Sequence, residues 1–132
     1  MNLIKITPDN ERAKSILQMI LLIEERIKLQ NKEKMSALIT ADYYEIIKEL
    51  ITAILLTKGL KTLSHKELID YLKENQKILN TEEISIIDDL RILRNRISYE
   101  GFPLTKDYLN RNEQSLKDII KKLKKELNNN LS

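Results

Sequence analysis

The chain has 132 residues, which suits one domain with a single hydrophobic core, and we treat residues 1–132 as that domain. Hydrophobic residues make up 42% and charged residues 33%, so the composition is globular, and the absence of cysteine excludes disulfides and thiolate chemistry. A net charge of +3 permits contact with nucleic acid without arguing for it. No hydrophobic stretch is long enough to span a bilayer, so we expect a cytoplasmic protein with no membrane contact.

The first two of five predicted helices are long. The first begins at Thr7-Pro8, where a capping hydroxyl precedes a proline, and it ends near Gln30. The second covers about residues 33–57 and is apolar around most of its circumference, so we expect it in the middle of the fold. Gly59 follows it as a predicted left-handed cap.

The third helix is short, and the fourth is long again. Ser64 and Glu67 form an S-x-x-E capping box that starts the third helix, which runs over about residues 65–75. The fourth begins at Thr81, because acidic residues in its first turn suit a helix N-terminus. Gly101 ends it, and the proline that follows prevents its continuation.

The fifth helix is predicted over about residues 105–128, with a frayed tail at residues 128–132. Its apolar residues recur at helical spacing, as they do in the other long helices. Four long helices with short connections favour antiparallel neighbours. We therefore expect an all-α fold, an antiparallel four-helix up-and-down bundle with one short extra helix.

The end of the fourth helix is the least ordinary stretch of the chain. It carries a dense set of polar side chains: Arg91, Arg94, Asn95, Arg96, Ser98 and Tyr99. Helical spacing places Arg91, Asn95 and Tyr99 on one ridge, and Arg94 one turn before Ser98. Residue types alone favour a simpler interpretation, because cations near a helix C-terminus are stabilising by about 0.3–1 kcal/mol each. Asp88 with Arg91 would then be an ordinary surface ion pair.

Arg94-Asn95-x-x-x-Tyr99 resembles the signature of HEPN domains, in which an arginine, a polar residue and a histidine close the penultimate long helix. Further features in the order of that family's pattern lie upstream: Asp42-Tyr43-Tyr44-Glu45, then Lys58-Gly59, then Ser64-His65. The resemblance covers about residues 10–125. It departs from the pattern at Tyr99, which stands where the family has histidine.

The resemblance implies a homodimer that contacts RNA in a prokaryotic toxin–antitoxin, defence or stress setting, with no cofactor and no metal. Arg94 would contact phosphate, Asn95 would orient it, and Tyr99 would hydrogen-bond or stack on a base. Active members of the family cut RNA without a metal. A tyrosine with an ordinary pKa of about 10 is a poor base near neutral pH, so we expect RNA binding more than RNA cleavage.

The arginines and the serine around this motif complete the predicted site. The predicted substrate contacts beside the motif are Arg91, Arg96 and Ser98. Arg94 and Tyr99 are about 140° apart around one helix, so we expect a single helix not to aim both at one atom. Two other functions stay open, a non-catalytic partner of a minimal nucleotidyltransferase and a structural dimer without a ligand.

The remaining polar residues show no pattern that is specific to one function. His65 is the only histidine, and we expect it to be structural or solvent-facing. The carboxylates show no spacing that is diagnostic of a metal site. The basic run Lys121-Lys122-Leu123-Lys124-Lys125 suits either a solvated helix face or a phosphate contact.

Two features of the second helix concern its packing. We expect one of Tyr43 and Tyr44 in the core and the other at an interface. A polar stripe follows at spacings of three, four and three, and we hypothesise that it pairs with Arg91 or Arg94 across the bundle: Asp42, Glu45, Glu49 and Thr52.

Overall fold

A computed structural model describes residues 3–132. In chain order the elements are β1 (Ile4–Lys5), α1 (Asn10–Leu29), α2 (Ser36–Thr57), β2 (Leu60–Lys61), α3 (His65–Glu74), α4 (Thr81–Glu100) and α5 (Lys106–Leu131). The two strands form a small antiparallel sheet that the sequence did not predict. The all-α class is otherwise confirmed. No helix in the described range is long and apolar enough to cross a membrane.

Helix α2 is the centre of the fold. It packs against α1, α3, α4 and α5, and also against β2. The isoleucine and leucine side chains from Ile39 to Leu56 are buried, as expected for a helix that is apolar around most of its circumference, whereas Met35 lies before the helix and is 39% exposed. Both Tyr43 and Tyr44 are buried, with 4% and 2% of their surface exposed, so the expectation that one of them faces an interface was wrong.

The start of α1 differs from the prediction. Asp9, not Thr7, is the N-cap, and its carboxylate accepts a hydrogen bond from the backbone N–H of Arg12 at 3.0 Å. The segment before it is held by the end of α2, because the backbone N–H of Ile6 donates to the Gly59 carbonyl oxygen at 2.9 Å. This tertiary hydrogen bonding overrides the local Thr7-Pro8 signal.

The caps of α3 and α4 follow local sequence signals more closely. The Ser64 hydroxyl accepts from the Glu67 backbone N–H, while the Glu67 carboxylate accepts from the backbone N–H of Leu63. At the start of α4 the predicted element is correct, but its cap is Asn80, which forms a reciprocal capping box with Glu83.

Helix α5 continues to Leu131, beyond its predicted end near residue 128. Leu127 is fully buried, and it anchors the last turns to the core. The Asn130 side-chain amide also donates to the Thr57 hydroxyl at the end of α2, at 3.1 Å. A polar sequence at a terminus is therefore ordered here by contacts with a distant helix.

Candidate functional site

The guanidinium of Arg94 lies against two tyrosine rings. Its Cζ atom is 6.0 Å from the ring centroid of Tyr44 on α2 and 5.9 Å from that of Tyr99 at the end of α4. Both distances are in the range of cation–π attraction. Tyr44 is buried and Tyr99 is 78% exposed, so the guanidinium contacts one ring inside the protein and one ring at its surface.

The contact between Arg94 and Tyr99 depends on the length of the arginine side chain. Arg94 and Tyr99 are on different sides of α4, yet the long arginine side chain reaches the Tyr99 ring within one chain. The angle of about 140° describes the Cβ directions alone, and the flexible arginine side chain reaches beyond that direction.

Arg94 has no acidic partner in the part of the chain that the structure describes. None of the ion pairs among residues 3–132 includes it. Its Nη1 donates only a long hydrogen bond to Oδ1 of Asn95, at 3.5 Å. Arg94 is partly buried, so it has lost some of its hydration without gaining a countercharge. Such a group is suited to bind an anion.

Arg94 and Ser98 line one surface concavity of about 390 Å³ between α1, α2 and α4. The remaining lining residues come from the other two helices: Met19, Ile23, Arg26, Ala41, Asp42 and Glu45. Ser98 therefore lies beside Arg94, as their one-turn spacing predicted. We call this concavity the Arg94 groove.

The carboxylates of the Arg94 groove are already paired. Asp42 accepts two hydrogen bonds from Arg26, at 2.7 and 3.1 Å, and one from the Gln30 amide at 2.9 Å. Glu45 pairs with Lys48 at 2.9 Å on the same helix. The hypothesis that the polar stripe of α2 pairs with Arg91 or Arg94 was wrong, because its carboxylates have nearer partners.

The other predicted arginines lie in different environments. Arg91 Nε donates to Asp88 one turn earlier at 3.0 Å, which is the ordinary ion pair of the simpler interpretation. Arg96 is exposed, and its Cζ lies 4.0 Å from the ring centroid of Phe102. Two helical positions rotate Arg96 by about 200° from Arg94. The structure therefore does not bring Arg96 together with the groove residues.

His65 and Lys48 lie close to the candidate site, although the sequence did not assign them to it. The His65 ring is 5.8 Å from the Tyr44 ring, centroid to centroid, so Tyr44 contacts both His65 and Arg94. Burial lowers the pKa of His65, and the nearby cations Lys48 and Arg94 lower it further. The imidazole is therefore neutral at physiological pH.

Tyr44 itself stays protonated. Burial raises its pKa to about 12, although Arg91 and Arg94 act to lower it. The uncharged Tyr44 ring therefore lies between the Arg94 guanidinium and the neutral His65 imidazole. Nothing in the spacing of the chain could have shown this, because the contacts join three separate helices.

Among the described residues there is no group of three or more histidine, aspartate or glutamate side chains placed to hold a metal ion. The Arg94 groove itself offers guanidinium, carboxylate and hydroxyl groups, while the Tyr44 and Tyr99 rings lie against Arg94 and the His65 ring lies against Tyr44. No protein-family model matches the sequence, and a search of curated proteins returns no match.

Proposed function

We propose that this chain is a HEPN-like protein that binds single-stranded RNA, with a phosphate held by Arg94, in the toxin–antitoxin, defence or stress setting that the resemblance implies. The observation that carries the proposal is the partly buried guanidinium of Arg94, without an acidic partner among residues 3–132, at the wall of a groove. Guanidinium groups bind phosphate oxygens in a bidentate manner, which suits a backbone contact.

The neighbouring side chains take roles that fit their positions. Asn95 accepts from Arg94 and restrains the guanidinium, so it is a positioning residue. Ser98 offers a hydroxyl beside the phosphate. Tyr99 is 78% exposed, so its ring is free to stack on a base, which contributes about 1–3 kcal/mol in single-strand binders.

The proposal includes a homodimer built from antiparallel up-and-down bundles with α3 as the extra helix. Its support is a set of large apolar side chains that are more than half exposed on α1 and α2: Met19 (57%), Leu22 (62%), Leu29 (85%) and Leu38 (56%). Met19 also lines the Arg94 groove, so a second copy that covers Met19 would lie beside that groove.

The dimer is tested by light scattering on the purified protein. We expect a dimer mass for the wild type and a monomer mass for Leu22→Lys combined with Leu38→Lys. Leu63→Lys is the matched control, because Leu63 is 71% exposed but lies outside that surface, after β2. A wild-type monomer at all concentrations would contradict the dimer.

RNA binding is tested by fluorescence anisotropy with a labelled single-stranded RNA. Arg94→Ala should weaken binding roughly 10- to 150-fold, because hydrogen bonds to charged groups contribute about 1.5–3 kcal/mol. Arg96→Ala is the matched control, since it removes an exposed arginine of the same helix that stacks on Phe102. Equal losses in the two variants would contradict a specific role for Arg94.

The salt dependence gives a second, independent readout. Each phosphate contact to a single strand contributes a slope of about 0.7 in log affinity against log salt concentration. Arg94→Ala should lower the measured slope by about that amount per binding site, while Arg96→Ala leaves it unchanged. A wild-type affinity that does not depend on salt would remove the phosphate contact from the proposal.

A second candidate function is metal-independent RNA cleavage with His65 as the base, because Tyr44 contacts both His65 and Arg94. His65 would take the proton of a ribose 2′-hydroxyl, whose oxygen bonds to phosphorus. The bond from phosphorus to the 5′-oxygen then breaks, and that oxygen takes a proton from water. Arg94 would stabilise the charge on the phosphate during this step.

Cleavage is tested with end-labelled RNA in the presence of a chelator. The low pKa of His65 predicts a rate that is flat above about pH 6.5 and falls in more acidic solution. His65→Gln should abolish cleavage and leave RNA binding intact. Binding without cleavage would restrict the function to RNA binding, and absence of both would favour the nucleotidyltransferase-partner alternative.

A further inference from the structure

A larger concavity of about 500 Å³ lies between α1, α2 and α5, away from the residues of the Arg94 groove. We call it the lysine pocket. Its apolar lining consists of Ile27, Ile39, Ile120 and the edge of Tyr43, and its polar lining of Glu24, Gln30, Glu113 and lysines 28, 32, 117, 121 and 124. A volume of this size is in the range of small-molecule sites.

Two of the five lysines are neutralised by acidic neighbours. Lys32 pairs with Glu113 at 2.6 Å, and Lys124 pairs with Glu24. The other three have no carboxylate within ion-pair distance in the described chain: Lys28, Lys117 and Lys121. The rim of the pocket therefore carries an excess of positive charge above an apolar lining.

The Glu113 carboxylate does not oppose an anionic ligand. The Tyr43 hydroxyl donates to it at 2.7 Å, and Lys32 approaches its other oxygen. Burial raises the pKa of Glu113, but the hydrogen bonds from Lys32 and Tyr43 outweigh burial and hold that pKa below its ordinary value. Both oxygens are engaged, and the charge is compensated inside the protein.

We propose that the lysine pocket binds an amphiphilic anion, a molecule with an aliphatic body and a terminal carboxylate or phosphate. The half-buried Ile27 side chain and the methylene stems of the lining lysines accept the aliphatic body, because aliphatic surface gains about 25 cal/mol for each Å² removed from water. The three unpaired lysines bind the head group. A planar aromatic base finds little to stack on, since the one aromatic residue in the lining, Tyr43, is 4% exposed.

The test is calorimetric titration of the whole protein with decanoate, decyl phosphate, decanol and inorganic phosphate. The proposal expects decanoate or decyl phosphate to bind, and comparison of the two identifies the preferred head group. Decanol and inorganic phosphate should bind at least about tenfold more weakly, because each lacks one half of the recognised chemistry. Equal binding of decanol and decanoate would overturn the role of the lysines.

Variants separate the head group from the apolar body. Lys117→Gln with Lys121→Gln should weaken the anionic ligands about tenfold and leave decanol unchanged. The matched control is Arg111→Gln with Lys125→Gln, which removes two exposed cations of α5 outside the pocket lining. An equal loss in this control would overturn the proposal, as would an affinity for inorganic phosphate that matches decanoate.

A larger side chain tests the cavity itself. Ile27 is half-buried at the edge of the lysine pocket, so Ile27→Trp should fill space there and abolish binding of every aliphatic probe. Circular dichroism is used to check that this variant is folded. If Ile27→Trp is folded and binds decanoate as the wild type does, the lysine pocket is not the site of an amphiphilic anion. The same conclusion follows if the variant with Lys117→Gln and Lys121→Gln loses affinity for RNA and keeps its affinity for decanoate.

Discussion

The two glycines provide a matched pair of substitutions that tests how the N-terminal segment is held. Gly59 and Gly101 both have left-handed backbone conformations, with φ of 70° and 64°. Alanine at either position pays about 1–2 kcal/mol for that conformation. A Cβ at Gly101 would meet no atom within 4 Å, whereas a Cβ at Gly59 would lie 2.6 Å from the carbonyl oxygen of Ile6.

The expected magnitudes follow from this difference. Gly101→Ala should lower the free energy of unfolding by about 1 kcal/mol, because reduced freedom of the unfolded chain offsets part of the conformational cost. Gly59→Ala should cost about 1–3 kcal/mol more, since backbone must move and the hydrogen bond from Ile6 to Gly59 is weakened.

Urea unfolding followed by circular dichroism at 25 °C measures both values. The slopes of the two transitions should agree with the wild type, so that the midpoints report stability. Equal losses for Gly59→Ala and Gly101→Ala would refute the reasoning, because they would mean that the close approach of Ile6 to Gly59 does not constrain the fold.

Two further substitutions have expected outcomes from local contacts. Asn80→Ala removes the capping box of α4 and should cost about 0.5–2 kcal/mol in urea unfolding, whereas Thr81→Ala should stay within about 0.5 kcal/mol. Glu113→Gln should cost about 1–2 kcal/mol at pH 7, because a charged acceptor for Tyr43 becomes a neutral one. The folded pKa of Glu113 lies below 4.5, so its contribution is present above that pH and is lost as pH falls through the folded value. The difference between Glu113→Gln and the wild type should therefore shrink in acid, and a difference that is constant from pH 7 to pH 3 would contradict this assignment.

The elements of the fold were predictable where their signals are local. The positive φ of Gly59 and Gly101, the Ser64 cap and the apolar stripes of α2 all depend on residues close in sequence. The start of α1 was not predictable in this way. Its local Thr7-Pro8 signal is reasonable, but hydrogen bonds to the end of α2 keep that segment out of the helix.

The sequence was sufficient to identify residues of the candidate site, but not the side chains from other helices that contact them. The sequence identified Arg94 and Ser98, and both line the groove. It assigned no role to the contact of Tyr44 with His65, because that contact joins α2 to α3 and depends on how the two helices pack. A lone histidine more often has a structural role, which is why the sequence predicted that role for His65. Its proximity to Tyr44 became known only from the packing of the helices.

The three arginines of α4 differ in how well each could bind an anion, and this depends on both ion pairing and burial. Arg91 forms an ion pair with Asp88, and Arg96 is exposed to water. A single exposed cation keeps its hydration, so it gains less from an anion than a partly buried cation does. Arg94 is partly buried and has no carboxylate within ion-pair distance among the described residues, so an incoming phosphate would replace hydration that folding has already removed. A net charge of +3 hides this distinction, since it counts all three arginines equally.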